Sequence, residues 1–154
     1  MSRLAGAAAL SFLASFGCPR EASAILCTVT STSVVAFGTY NVFSGAPNDA
    51  VGSLSYQCLL YLGIDVIIIS LSAGNAGSYT PRAMRSGVNT LAYNLYLDAA
   101  RTKIWGNGTN GTFLYGPLSL VPDLVTVPVF GRIPALQNAK VGMYSDTIVV
   151  TTLF

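Results

Sequence analysis

The chain contains no histidine, and its one glutamate, Glu21, falls in a segment that reads as a cleavable leader. General acid–base chemistry near neutral pH draws mainly on those side chains, so catalysis is left with scattered Asp, Ser, Thr and Lys. None of them stands in a nucleophile motif, and the sequence predicts no enzyme. Charge is scarce too, at 9% of residues. With no dense carboxylate loop and no histidine, the sequence predicts no metal site and no cofactor. A helical period is absent as well. Apolar runs are short, the longest being the thirteen residues Leu4 to Phe16, too few to span a bilayer.

What stands at the N-terminus has the parts of a secretory signal. Arg3 supplies a positive n-region, Leu4 to Phe16 the apolar h-region, and Ala22-Ser23-Ala24 a small-x-small cleavage site. Residues 1–24 are therefore expected to be removed, leaving a single domain of 130 residues, 25–154, with no remaining membrane segment. Cleavage takes Cys18 away and leaves Cys27 and Cys58. Two cysteines in an exported chain usually pair; two buried thiols are the alternative. The mature chain keeps six cations and five aspartates, a net charge of +1. No basic field is available to attract nucleic acid. So few charges favour a surface packed against other protein.

The mature segment reads as short strands separated by Gly, Pro, Asn and Ser. Strands are predicted at Leu26 to Thr30, Val34 to Tyr40, Val51 to Leu60 and Gly63 to Leu71, with a loop at Ser44 to Asp49. The β-branched run Val66 to Leu71 suggests a central strand covered on both sides. Tyr79 to Met84 should be an edge strand because Pro81 cannot donate to a ladder. In Leu91 to Asp98 the alternation sends Leu91, Tyr93, Leu95 and Leu97 inward, Asn94 and Asp98 outward. Lys103 to Trp105 and Thr112 to Tyr115 are expected to pair as a hairpin, followed by a strand at Leu124 to Ile133 and a loop at Pro134 to Lys140. Gly142 to Phe154 reads as a last strand with Ile148, Val150, Thr152 and Phe154 on one face. Termini usually fray, so a strand pattern ending in an aromatic suggests that a neighbouring polypeptide holds it. About seven strands at these intervals suggest an all-β, immunoglobulin-like sandwich.

Two local patterns lose to plainer readings. Gly106-Asn107-Gly108-Thr109-Asn110-Gly111 has the G-x-G-x-x-G spacing of a dinucleotide loop, but a β-like run follows where a helix is required. The same stretch carries two Asn-Gly-Thr sequons, although Asn-Gly is equally a hairpin-turn dipeptide, and the turn is favoured. Tyr93, Tyr96 and Trp105 form a conceivable stacking surface for a ligand; alternating strand aromatics are more often core, and no small-molecule substrate is predicted.

Taken in order, several pieces resemble the spore coat protein U family, which includes pilin subunits of the archaic, Csu-type chaperone-usher pili. They are Cys27-Thr28-Val29, Phe37-Gly38-Thr39-Tyr40, Ser70-Leu71-Ser72-Ala73-Gly74, Arg82-Ala83-Met84, Leu91 to Asp98, Trp105-Gly106, Pro128 to Pro134 and Gly142 to Ile148. The resemblance implies an incomplete immunoglobulin-like sandwich lacking its seventh strand. It implies a groove filled first by a periplasmic chaperone and then by another pilin or coat subunit at an outer-membrane usher. Carried onto this sequence, Ile148, Val150, Thr152 and Phe154 line part of that groove, and the Phe154 carboxylate anchors the chaperone. The implied role is a non-enzymatic subunit of a surface fimbria or coat that passes through the periplasm to the cell surface. Such pilins carry a donor segment before the first cysteine. With cleavage after Ala24 only Ile25 and Leu26 precede Cys27, so this subunit is expected to accept a strand without donating one. The competing expectation is a self-complete secreted binding module of immunoglobulin-like fold.

Overall fold

A computed structural model describes residues 27–58, 66–119 and 123–153. The expected leader 1–24, Leu26, Leu59, Leu60, Gly63 to Asp65 and Phe154 lie outside the described residues. Eight strands follow one another: β1 (Cys27–Ser33), β2 (Asn48–Cys58), β3 (Val66–Leu71), β4 (Arg82–Ser86), β5 (Asn89–Tyr96), β6 (Tyr115–Ser119), β7 (Leu124–Ile133) and β8 (Val150–Leu153). They form two sheets, one ordered β1-β2-β7-β5-β4 and the other β6-β3-β8. All strand pairs are antiparallel. The chain changes sheet after β2, β3, β5, β6 and β7. This is an all-β, immunoglobulin-like sandwich.

The core sits between the sheets and is made by the period-two alternation. Leu54, Tyr56 and Cys58 of β2, Val127, Val129 and Ile133 of β7, and Leu91, Tyr93 and Leu95 of β5 meet Ile67, Ile69 and Leu71 of β3. Trp105, fully buried, joins the two layers. Its N–H donates to Leu95 O in the first sheet and its indole Nε1 to Ile69 O in the second, at 2.9 and 3.0 Å. Tyr93 and Trp105 are thus core, and the ligand-stacking surface is not formed by them. A disulfide joins Cys27 to Cys58, a directly opposed pair in the β1–β2 ladder.

Several local expectations need correction. Val34 to Tyr40 joins no ladder. It instead crosses the inner face of β2 and β7 at two glycines; a Cβ on Gly131 would lie 2.5 Å from Val35 Cγ1 and 2.7 Å from Phe37 Cζ, and one on Gly52 2.9 Å from Val35 Cγ2. Asn48 begins β2, so the preceding loop is shorter than its composition suggests. The edge strand starts at Arg82, just after Pro81. Trp105 and Phe113 do meet, but through a parallel bridge, because Ile104 is already paired antiparallel with Tyr96. β3 is central between β6 and β8, yet only its inner face is covered: Val66 is exposed and Ile68 half-buried. Asn94 is buried, since Tyr79 and Arg82 cover it and take up its amide.

On the outside of the large sheet, Asp49 accepts two hydrogen bonds from Arg132, at 2.7 and 2.8 Å, and lies 3.3 Å from Arg101 Nε. The Arg132 hydrogen bond, against a smaller opposing desolvation and with the charges of Arg101 and Arg132, holds the Asp49 carboxyl below its ordinary value. A carboxyl depressed in the folded state stabilises above its unfolded pKa, and that contribution is lost as pH falls through the folded one. Between pH 5 and 3 the wild type should therefore lose about 0.5 kcal/mol more stability than Asp49→Asn, a small figure because the pair is partly solvated. Urea midpoints across that range check it, and parallel curves for the two proteins count against it.

Candidate strand-acceptor cleft

Among the described residues the two sheets do not close along one side. A cleft of about 400 Å³ opens there, and its floor is core: Leu54, Leu71, Met84, Tyr93, Leu95 and Val129. One bank is the end of β1 with the segment that follows, Thr32 to Val35 and Phe37; the other is Tyr144 to Asp146 with Ile148 and Val150. Both banks are short of backbone partners, for different reasons.

The first bank leaves its sheet to cross the glycine track. Val35 and Phe37 dock by side chains, Phe37 meeting the Tyr93 ring edge-on at 6.0 Å, and Asn48 Nδ2 donates to the carbonyls of Phe37 and Thr39. Six of the seven β1 residues are exposed, which is unusual for a strand whose inner face should meet core. Val34, beside the cleft, is 82% exposed.

The second bank is the stretch where the chain passes from one sheet to the other. Ser145 exchanges both backbone hydrogen bonds with Arg85 on the first sheet, whereas Val150 to Leu153 pair with β3 in the second. Asp146 fixes the crossing: Oδ1 accepts from the N–H groups of Asn75 and Thr147, each at 2.8 Å, and Oδ2 from the Tyr93 hydroxyl at 2.7 Å. Burial, then the neighbouring Asp146, pushes the Tyr93 hydroxyl up, so it remains a donor to that carboxylate. Gly74 packs against the Asp146 carboxylate with φ +73°, leaving no room for a Cβ.

The expected face can now be placed. Ile148 and Val150 point into the cleft. Thr152 is on the same half-buried side, opposite Ile69, but is not among the lining residues, and Phe154 lies outside the described residues. Val149 and Leu153 face outward. Because Ser72 N donates to Val149 O, the register makes Ser72 and Val149, Ser70 and Thr151, and Ile68 and Leu153 the hydrogen-bonded positions. Val150 and Thr152 then turn their N–H and C=O groups away from β3, and no described strand pairs with that edge. The cleft therefore combines a strand edge that no described strand pairs with an apolar floor, the two things an added strand needs.

Sequence reasoning missed a buried polar group behind this bank. Arg82 is completely buried, and its guanidinium donates to Ser72 O from Nε and Nη2, to Trp105 O from Nη2, and to Asn94 Oδ1 from Nη1. It also lies 5.0 Å from the Tyr79 ring centre. Burial lowers its pKa, but an arginine so depressed remains ionised at working pH. The available signal was that Arg82 follows Pro81 at the start of a strand whose next inward residue is Met84; alternation alone puts it on the core side.

Comparison with known proteins agrees with this architecture. The model of the Spore Coat Protein U domain matches residues 14–151. Protein U of Myxococcus xanthus is 37% identical over 131 residues, covering 77% of this chain and 70% of that protein. Among solved structures, a chain of the chaperone–tip adhesion subunit pre-assembly complex from the archaic chaperone-usher Csu pili of Acinetobacter baumannii superposes with a TM-score of 0.56 at 19% identity. That match covers 85% of this chain and only 40% of the solved one, and at such identity it speaks for the fold alone. The family match, spanning most of the sequence, identifies the chain as a member of the Spore Coat Protein U domain family.

Proposed function

We propose that the chain is a structural, non-enzymatic subunit of a surface fimbria or coat, assembled by taking a β-strand from a partner into the open cleft. A periplasmic chaperone supplies the strand first and another pilin or coat subunit replaces it, at an outer-membrane usher. The leader 1–24 directs export, and the assembled subunit ends at the cell surface. The observation that carries this reading is the cleft itself, in which a β8 edge that no described strand pairs stands beside an apolar floor, with Ile148 and Val150 on its bank. An incoming strand hydrogen-bonds to Val150 and Thr152 while its alternate side chains fill the floor, each Val- or Ile-sized group contributing about 1.5–3 kcal/mol. The disulfide suits the oxidising periplasm. A pilus-complex structure with the same fold and the Spore Coat Protein U domain match both sit with a subunit role.

The test is expression in a bacterial periplasm with and without the cognate chaperone, followed by size exclusion. The wild type should be soluble chiefly as a chaperone complex. Val150→Asp should abolish that complex, because a carboxylate would be buried beneath the added strand. A wild type that stays monomeric and forms no complex when the chaperone is present would overturn strand uptake and favour the self-complete binding module. Full assembly by Val150→Asp would show that the cleft is not the acceptor.

A further inference from the structure

Ser72, immediately after β3, stands in an unusual ladder position. A hydrogen-bonded antiparallel pair exchanges two bonds, each residue's N–H to the other's carbonyl. Ser72 keeps half of this, donating its N–H to Val149 O at 2.9 Å. Its carbonyl is elsewhere, accepting from Arg82 Nε at 3.0 Å and Nη2 at 2.8 Å. Val149 N–H donates instead to the Ser72 hydroxyl, at 2.9 Å. The side chain thus stands in for a backbone acceptor that the buried arginine has withdrawn.

The consequence falls on the cleft. A regular ladder would continue to Ala73 opposite Ile148, keep the chain in the second sheet and draw Ser145 away from Arg85. Instead the ladder stops at Val149 and the chain crosses to Arg85, with Ile148 still on the cleft side. Neither Ser72 nor Arg82 lines the cleft. Behind Ser72, Arg82 is held by Asn94 Oδ1 and Trp105 O, so the withdrawn carbonyl is fixed by core on two sides.

We propose that Ser72 and Arg82 are positioning residues for strand uptake. Arg82 holds the Ser72 carbonyl out of the β3–β8 ladder, and the Ser72 hydroxyl takes its place at Val149, setting the Ile148–Val150 bank where an incoming strand can pair with it. This rests on the strand-acceptor reading and adds to it the residues that keep the acceptor edge presented while empty.

The experiment uses the full mature chain and, as probe, a synthetic peptide of about ten residues with valine or isoleucine at alternate positions and threonine or lysine between, a strand's length. Peptide affinity, the urea midpoint and backbone amide exchange are measured for wild type, Ser72→Ala and Ser72→Thr. In the wild type the Val149 amide should be protected with or without peptide, while those of Val150 and Thr152 become protected only when peptide is bound. Ser72→Ala should weaken peptide binding about fivefold to tenfold, the scale of one lost hydrogen bond, and deprotect Val149. Ser72→Thr, which keeps the hydroxyl, should restore both.

Ser72→Ala binding peptide as well as wild type would overturn the inference while leaving strand uptake intact. So would a Val149 amide already unprotected in the wild type, a result that does not depend on the alanine variant folding. Failure of Ser72→Thr to restore affinity counts equally against it, since a general packing role would not follow the hydroxyl. A wild type that takes up neither peptide nor chaperone strand overturns strand uptake itself, and this positioning role with it.

Discussion

Arg82→Met is expected to destabilise the domain by about 2–4 kcal/mol, the cost of leaving two carbonyl acceptors without a donor less the relief of no longer burying a cation. Methionine fills most of the vacated volume, so the loss comes chiefly from polar groups left behind. Ser72 O and the buried Trp105 O each lose their side-chain donors, while Asn94 Oδ1 keeps only its bond from the Leu95 N–H. An unsatisfied buried acceptor costs about 1–3 kcal/mol, and relief from burying the cation offsets part of the sum. Urea unfolding checks the magnitude. Adding Asn94→Leu to Arg82→Met should cost less than the two single changes together, because the hydrogen bond between them can be lost only once. Strict additivity would mean that the two side chains do not act as a unit. A loss below about 1 kcal/mol for Arg82→Met would mean that water reaches the acceptors, contrary to their burial.

The second large effect belongs to the disulfide. The double change Cys27→Ala with Cys58→Ala is expected to lower stability by about 3–4 kcal/mol, from the chain entropy of the loop between them. The cysteines are 31 residues apart in sequence. The bridge matters beyond that constraint because of where it sits. Among the described strands β1 is an edge, paired with β2 alone and exposed at six of seven positions, so little apolar burial holds it. Losing the bridge should fray β1 first and carry away the Thr32 to Val35 bank of the cleft. Thermal unfolding of the double variant should fall by roughly 10–20 °C, and amide exchange in β1 should rise ahead of global unfolding. Reduction of the wild type should reproduce both. An unchanged midpoint would show that Cys27 and Cys58 remain close in the unfolded chain, leaving the bridge little entropy to remove.

Much of the fold is legible in residue order because its cause is local. Alternation in Leu124 to Ile133 and in Leu91 to Tyr96 marks β7 and β5, since a period of two needs only the pleat to become one buried face. The same rule sets Ile148 and Val150 on the cleft side before any neighbour is known. Export expected from the leader pattern makes pairing of Cys27 with Cys58 the favoured reading, and the opposed register in β1 and β2 lets them meet.

Other features depend on what a segment meets across space. Val34 to Tyr40 has strand composition, but strand propensity reflects packing on a pleated surface, and Val35 and Phe37 obtain that packing over Gly52 and Gly131 without a ladder. Asn94 sits at an outward position by alternation and is buried because Tyr79 and Arg82, more than ten residues earlier, fold over it. Trp105 and Phe113 are close enough in sequence to suggest a hairpin, yet Ile104 had already spent its antiparallel edge on Tyr96. The sequence by itself determined which faces are apolar and how little charge the chain carries. Only the tertiary structure decided that no described strand closes the sandwich beside β8 and that a buried arginine, through the Ser72 carbonyl, turns the chain there. The physical reason is that side-chain period is written into each strand, whereas a free edge and a shared hydrogen-bond acceptor exist only once distant strands have been brought together.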